Sequence, residues 1–241
     1  MANIGKYELD SIVQGDTREL VAQLPDSSID LLVTDPPYFL PVQSYVGTRE
    51  GGYSRRTLAD MTILQTYFDV MFEQFARVIK PSGTAYVFCD GQSYPIIYRS
   101  MYPYFNYVRP LIWNKIVSYN GYTWRHQHEL IAWGEGFEAE RIPTGDGDVL
   151  ECRGVLQADR LHPAEKPVKI MRDLIAKHGK EKIILDPYAG SCPVAVAAKV
   201  TGNHFLCFEY DKVNVETGRQ RVADAKLPAF ESLEQGGLWA V

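Results

Sequence analysis

IDLLVTDPPY at residues 29–38 is an apolar run that stops on an acidic residue and two prolines, and KIILDPYAGS at 182–191 repeats that outline late in the chain. Each run is short and unbroken, as in a strand covered on both faces, where no position has to alternate toward water. Pro25-Asp26-Ser27-Ser28 supplies the turn that launches the first. Outward from these two runs, strands alternate with helical patterns. Leu64, Phe68, Phe72, Phe75 and Ile79 form one stripe at helical spacing, predicting a helix over about 60–80 that Pro81-Ser82-Gly83 stops. TAYVFCD (84–90) is the next strand, followed by a helix near 92–101. YVRPLIWN (107–114) and HELIAWG (128–134) are a strand pair able to form a hairpin, NHFLCFEYD (203–211) is a further strand, and helices are expected near 193–201 and 212–225. This alternation predicts an α/β fold with a mainly parallel sheet, contained in one domain over 1–241. Two stretches lack periodicity: 40–57, rich in Gly, Ser and Arg, and 134–161. Loops of that length generally carry function or move.

Composition narrows the classes. Of 241 residues, 46% are hydrophobic and 23% charged, and the net charge is −5. That balance excludes a uniformly basic, nucleic-acid-coating protein, although a nucleic acid needs only one basic face. Cys89, Cys152, Cys192 and Cys207 form no CxxC pair, which points to reduced thiols without a disulfide framework or zinc site. His126 and His128 would point the same way on a strand but lack partners, so no metal is expected. No apolar run is long enough for a membrane span or signal segment, and a cytoplasmic protein is expected.

The two Asp-Pro loops decide the candidate site. In open α/β sheets, ligands bind beyond the carboxyl ends of strands, where the strand order reverses. Two such loops side by side would line one crevice with a carboxylate from each, although Asp and Pro are also ordinary turn residues. Gly190-Ser191, before a helix, lets a ligand approach backbone and helix N-terminus. Glu209 ends the following strand, where an acidic side chain can accept hydrogen bonds from ribose hydroxyls. Residues 182–211 therefore read as a nucleoside-binding unit, without the GxGxxG fingerprint.

Asp35-Pro36-Pro37-Tyr38 resembles the DPPY signature of amino-group DNA methyltransferases. Asp186-Pro187-Tyr188-Ala189-Gly190-Ser191 is similar to their cofactor loop, DPFxGSGT, and His162-Pro163-Ala164-Glu165-Lys166-Pro167 to their HPxxKP segment. Gly15-Asp16 followed by LPDSSIDLLVTDPPY fits the family's opening, and WNK (113–115) with HELIAW (128–133) resembles its later strand pair. The matches run from about residue 12 to 222. The catalytic loop precedes the cofactor loop, as in the β group of these enzymes. The resemblance implies a permuted Rossmann-like, S-adenosylmethionine-dependent fold, with a seven-stranded sheet and one antiparallel strand. Cys192-Pro193 departs from the family's Gly-Thr. Pro193 suits a helix's first turn, whereas Cys192 brings a Cβ where Gly gives clearance.

That resemblance implies transfer of a methyl group from S-adenosylmethionine to the N6 of adenine. Asp35 and a backbone carbonyl of Pro36-Pro37 would accept the amino hydrogens and Tyr38 would stack on the base. Asp186, Tyr188, Gly190 and Ser191 would hold the cofactor's methionine end, Glu209 its ribose, and Asp16 its adenine. Asp35 borders the same site, and His162 and Lys166 would hold the cofactor carboxylate. The implied partner is double-stranded DNA with a flipped adenine, in a prokaryotic or phage setting, with room for a homodimer and a cognate restriction enzyme. Arg49, Arg55 and Arg56 in the 40–57 loop are candidate DNA contacts. Lys115, Arg125 and the aromatics Tyr119, Tyr122 and Trp124 are a second set, and 134–161 is a candidate target-recognition segment. N4-cytosine and RNA-adenine transfer share this chemistry, and a catalytically silent nucleic-acid-binding subunit is the reading of a different class.

Overall fold

A computed structural model describes residues 2–37, 58–116, 123–140, 142, 145–155 and 165–226, with 58–60 as backbone alone. Tyr38, the 40–57 loop with Arg49, Arg55 and Arg56, Tyr119, Tyr122 and His162 lie outside the described residues.

The chain begins with a two-stranded antiparallel ribbon, β1 (Asn3–Ile4) and β2 (Tyr7–Glu8). The main sheet follows with β3 (Ser11–Gln14), α1 (Thr17–Val21) and β4 (Ile29–Thr34). After α2 (Leu58–Val78) come β5 (Ile79–Cys89), α3 (Tyr94–Met101) and the hairpin strands β6 (Tyr107–Asn114) and β7 (His128–Glu135). β8 (Val149–Glu151), α4 (Val168–Ala176), β9 (Ile183–Asp186), α5 (Pro193–Val200), β10 (His204–Glu209) and α6 (Lys212–Asp224) complete it. The order across the sheet is β3-β10-β9-β4-β5-β7-β6-β8. β7 alone runs against its neighbours β5 and β6, so the single antiparallel strand expected is present. Among the described residues the sheet has eight strands where seven were expected. The additional one is β8, a three-residue edge strand parallel to β6 that lies within the stretch 134–161 read as irregular.

The topology reverses between β4 and β9, which are parallel neighbours. From β4 the chain crosses through α2 to β5 on one side, and from β9 through α5 to β10 on the other. This is the switch point where an open α/β sheet leaves a crevice.

Two cores flank the sheet. Alternate residues of one strand feed opposite cores: in β5, Ala85, Val87 and Cys89 meet α2 and α3, whereas Tyr86 and Phe88 face α4 and α5. Phe68, Phe72 and Phe75 of α2 are almost fully buried, each worth about 1.5–3 kcal/mol of apolar burial. One charge interrupts β4 at its start: Asp30 pairs with Lys80 at 2.8 Å and accepts the Ile183 N–H at 2.9 Å, binding three strands at the edge away from the crevice. Among the described residues no helix is long and apolar enough to cross a membrane. All four cysteines are buried and free.

Candidate active site

A cavity of about 670 Å³ opens at the switch point, within the range that holds a nucleoside-sized ligand. Asp35, Pro36 and Pro37 enter it from the end of β4, and Asp186 from the end of β9. Tyr188, Gly190 and Ser191 continue its wall, Glu209 stands at the end of β10, and Asp16 and Lys166 complete the expected set. Residues far apart in the chain meet here because β10, β9 and β4 are consecutive strands.

The backbone of the cofactor-type loop is shaped for close approach. Gly190 has φ +51, a conformation that favours glycine, and a Cβ built there would meet nothing within 4 Å. Its N–H donates to Glu209 Oε2 at 2.7 Å, while the Asp211 N–H donates to Oε1 at 2.8 Å. The Asn214 side-chain amide also donates to Oε1 at 3.5 Å, so the acceptor capacity left for a ligand hydroxyl is chiefly on Oε2. Cys192 occupies the left-handed region at φ 59, a conformation that favours glycine. Its side chain is buried and turns toward α6, where Gly218 gives it room: a Cβ on Gly218 would come within 2.3 Å of Cys192 Sγ. Cys192 does not line the cavity, so this departure from the family loop leaves the pocket clear.

Charges in the site are strongly coupled. Asp186 is 2% exposed. Burial raises its carboxyl to about 7, opposed by hydrogen bonds from the Thr34 hydroxyl at 2.8 Å and the Tyr188 N–H at 3.2 Å, with Asp35 and Glu209 adding repulsion. Lys166, 7% exposed in its side chain, places Nζ 2.5 Å from Asp35 Oδ2 and 3.4 Å from Glu129 Oε2. Burial alone would depress its ammonium, but the Asp35 and Glu129 carboxylates outweigh it and the pKa is raised. Asp16 caps α1, accepting the Arg18 N–H at 2.9 Å, and also receives the Arg18 guanidinium, whose hydrogen bonds hold its carboxyl below the ordinary value.

Of the DNA candidates, Lys115, Trp124 and Arg125 lie among the described residues. Lys115 pairs with Glu129 through its ammonium and lies 4.9 Å from the Trp113 ring centroid, with its side chain 16% exposed. Arg125 is exposed beside Trp124, itself 86% exposed, on the connection leading into β7. Sequence reasoning missed several residues in or beside the cavity. Tyr210 follows Glu209 and is 77% exposed at the cavity wall; its place after an acidic strand end was the available signal. Arg221 pairs with buried Glu165 at 2.6 Å and donates to the Ser191 carbonyl and hydroxyl, but nothing in the local sequence announces that contact. Tyr67 of α2 shares a hydroxyl contact with Tyr188. Among the described residues no group of three or more His, Cys, Asp or Glu is arranged to hold a metal ion.

Comparison with known proteins agrees with this geometry. The DNA methylase family model for N6/N4 methyltransferases matches residues 29–220, and the chain belongs to that family. It is 22% identical to the type II methyltransferase M.HinfI of Haemophilus influenzae, over 93% of this chain and 71% of that protein. It is 27% identical to the type II methyltransferase M.BglII of Bacillus subtilis, over 89% and 69%. Among solved structures, PvuII DNA methyltransferase (cytosine-N4-specific) matches with a TM-score of 0.72 at 17% identity, over 96% of this chain and 94% of that one. The M1.HpyAVI–SAM complex matches with a TM-score of 0.66 at 19% identity, over 88% and 98%.

Proposed function

We propose that this protein is a β-group DNA methyltransferase that uses S-adenosylmethionine to methylate the N6 of adenine. The observation that carries the proposal is the meeting of Asp35 and Asp186, from adjacent strands of opposite crossover direction, in one cavity bordered by Glu209. The residues fit the cofactor. Glu209 suits a ribose diol, Gly190 leaves the space a Cβ would fill, and Asp186 offers a buried carboxylate to an ammonium. Asp16 and Tyr210 suit the adenine end. When bound, S-adenosylmethionine supplies a methyl group activated on a sulfonium sulfur.

The chain's own part is alignment. The adenine amino nitrogen is a weak nucleophile because its lone pair is delocalised into the ring. Asp35 and a carbonyl of the Pro36–Pro37 turn accept its two hydrogens, which favours a tetrahedral nitrogen with its lone pair directed at the methyl group. Proline fixes φ and so holds that carbonyl still. Catalysis is then positioning and electrostatics without a covalent enzyme intermediate. A paired adenine cannot reach the cavity, so the base flips out, with Tyr38 as its stacking partner. Arg49, Arg55, Arg56 and Arg125, with Tyr122, contact DNA, and 134–161 contributes to target recognition. The whole chain works as one methyltransferase domain.

The test is methyl transfer by Asp35 variants. Asp35→Ala lowers the rate by about 100- to 1,000-fold, the usual cost of removing one preorganised partner of the transition state, while calorimetric affinity for S-adenosylmethionine stays within a few-fold. Asp35→Asn keeps part of the rate because its amide still offers an oxygen. Near-normal turnover in Asp35→Ala would remove Asp35 from the chemistry.

A further inference from the structure

Asp35 belongs to a set of charges of which the cavity exposes only part. Lys166 sits between two carboxylates, Asp35 at 2.5 Å and Glu129 at 3.4 Å, and Glu129 is in turn paired with Lys115. The four groups come from the end of β4, the segment before α4, β7 and the residue after β6. Among the described residues the set comprises two carboxylates and two ammoniums, which offset one another at side-chain exposures of 7–22%. Aromatic rings support both lysines: Lys166 lies 5.9 Å from the Phe88 centroid and Lys115 4.9 Å from that of Trp113. Lys115 is further fixed by its N–H to the Gln127 carbonyl at 2.8 Å. Glu129 Oε2 is a buried atom without a hydrogen bond, and the charge it faces is Lys166.

We propose that Glu129 is a positioning residue for methyl transfer, acting through Lys166 on Asp35. The inference rests on the catalytic reading of Asp35. Asp35 and Lys166 line the cavity, whereas Glu129 and Lys115 do not, so Glu129 influences the reaction by fixing another side chain. An ammonium on a four-carbon stem has many rotamers, and one carboxylate alone holds it loosely. With Glu129 as a second carboxylate partner, the Lys166 ammonium is held more narrowly, and Asp35 Oδ2 with it. When the amino group of a flipped base takes up acceptor capacity on Asp35, Lys166 has Glu129 to lean on and stays neutralised.

The experiment compares wild type, Glu129→Gln, Glu129→Asp, Lys166→Met and the Glu129→Gln/Lys166→Met double variant. Each is measured for kcat with saturating DNA, calorimetric Kd for S-adenosylmethionine, and melting temperature. Glu129→Gln is expected to lose about 10- to 100-fold in kcat, the scale of a small misplacement of a reacting group, with the cofactor Kd unchanged. Glu129→Asp should recover part of that loss. The double variant should be no slower than Lys166→Met alone, because both changes remove one linked unit. Wild-type kcat in Glu129→Gln would overturn the proposal, as would a loss that multiplies fully with that of Lys166→Met. A fall in melting temperature and cofactor affinity at unchanged kcat would assign Glu129 to stability and also overturn it. If Glu129→Gln does not fold, Lys115→Met breaks the other arm of the set and is read in the same way. Wild type that transfers methyl groups while Glu129→Gln equals it refutes this inference alone, whereas wild type without transfer overturns the functional reading beneath it.

Discussion

Asp186 shows how burial can tie ligand binding to pH. Its carboxyl is raised to about 7 from an ordinary 3.8, first by desolvation. The protein therefore holds a proton there that an unfolded chain would release near pH 4. If the ionised carboxylate meets the cofactor's ammonium, binding below pH 7 expels that proton, and affinity rises as pH climbs through 7. Calorimetry at pH 6 in two buffers of different ionisation heat should find proton release in wild type and none in Asp186→Asn. Equal heats for wild type in both buffers would show that Asp186 does not ionise on binding.

At the scale of elements, the contact between α5 and α6 supports the loop that carries Gly190 and Ser191. Cys192 caps α5 in a left-handed conformation and its sulfur fills the notch left by Gly218. Gly218→Ala would put a Cβ 2.3 Å from that sulfur and 3.2 Å from Ile12 Cδ1, so one element has to move. Overpacking of this kind costs about 1–3 kcal/mol, and thermal melting should show a loss of that size together with weaker cofactor binding. Gly218→Ala/Cys192→Gly should restore both. The elements most legible in the sequence were those whose own residues settle them. β4 and β9 are apolar runs ended by Asp, and α2 is an unbroken stripe through Leu64, Phe68, Phe72 and Phe75. β3, α1 and β8 escaped because three to five residues carry no measurable period; pairing with β10 and β6 creates the two strands. The site divides in the same way. Asp35, Asp186 and Glu209 stand at strand ends and were readable, whereas Glu129 and Arg221 work through partners 37 and 56 positions away, Lys166 and Glu165, which only the folded chain brings near.

At the scale of the whole molecule, buried Asp186 and half-buried His178 push acid stability in opposite directions. Asp186 contributes stability that is complete below about pH 4 and lost as pH rises to about 7. His178, with Nε2 2.9 Å from the Tyr86 hydroxyl, is lowered to about 4 by burial and by Lys182 and Lys177. Its contribution is complete above pH 6.5 and lost as pH falls toward 4, about 3 kcal/mol in all. Over pH 4 to 6.5 the two slopes offset each other, so denaturant stability of wild type should be nearly flat there. Asp186→Asn should lose stability on acidification, and His178→Gln should gain it; parallel profiles for all three would contradict the assignment. Net charge is the other molecular property that matters. At −5 the chain repels DNA on average, so binding depends on local cations. Neutralising Arg55 and Arg56 should lower the salt dependence of DNA binding by about one unit of slope per lost phosphate contact; an unchanged slope would take that loop out of the interface.

A cavity that joins a methyl donor to a DNA amino group declares itself in its product. Purified protein is incubated with methyl-labelled S-adenosylmethionine and unmethylated DNA, the DNA is digested to nucleosides, and the label is located by mass. Wild type should yield labelled N6-methyldeoxyadenosine, and Asp35→Ala should lose it. Label in N4-methyldeoxycytidine would contradict the choice of adenine, and DNA without label would contradict the account as a whole.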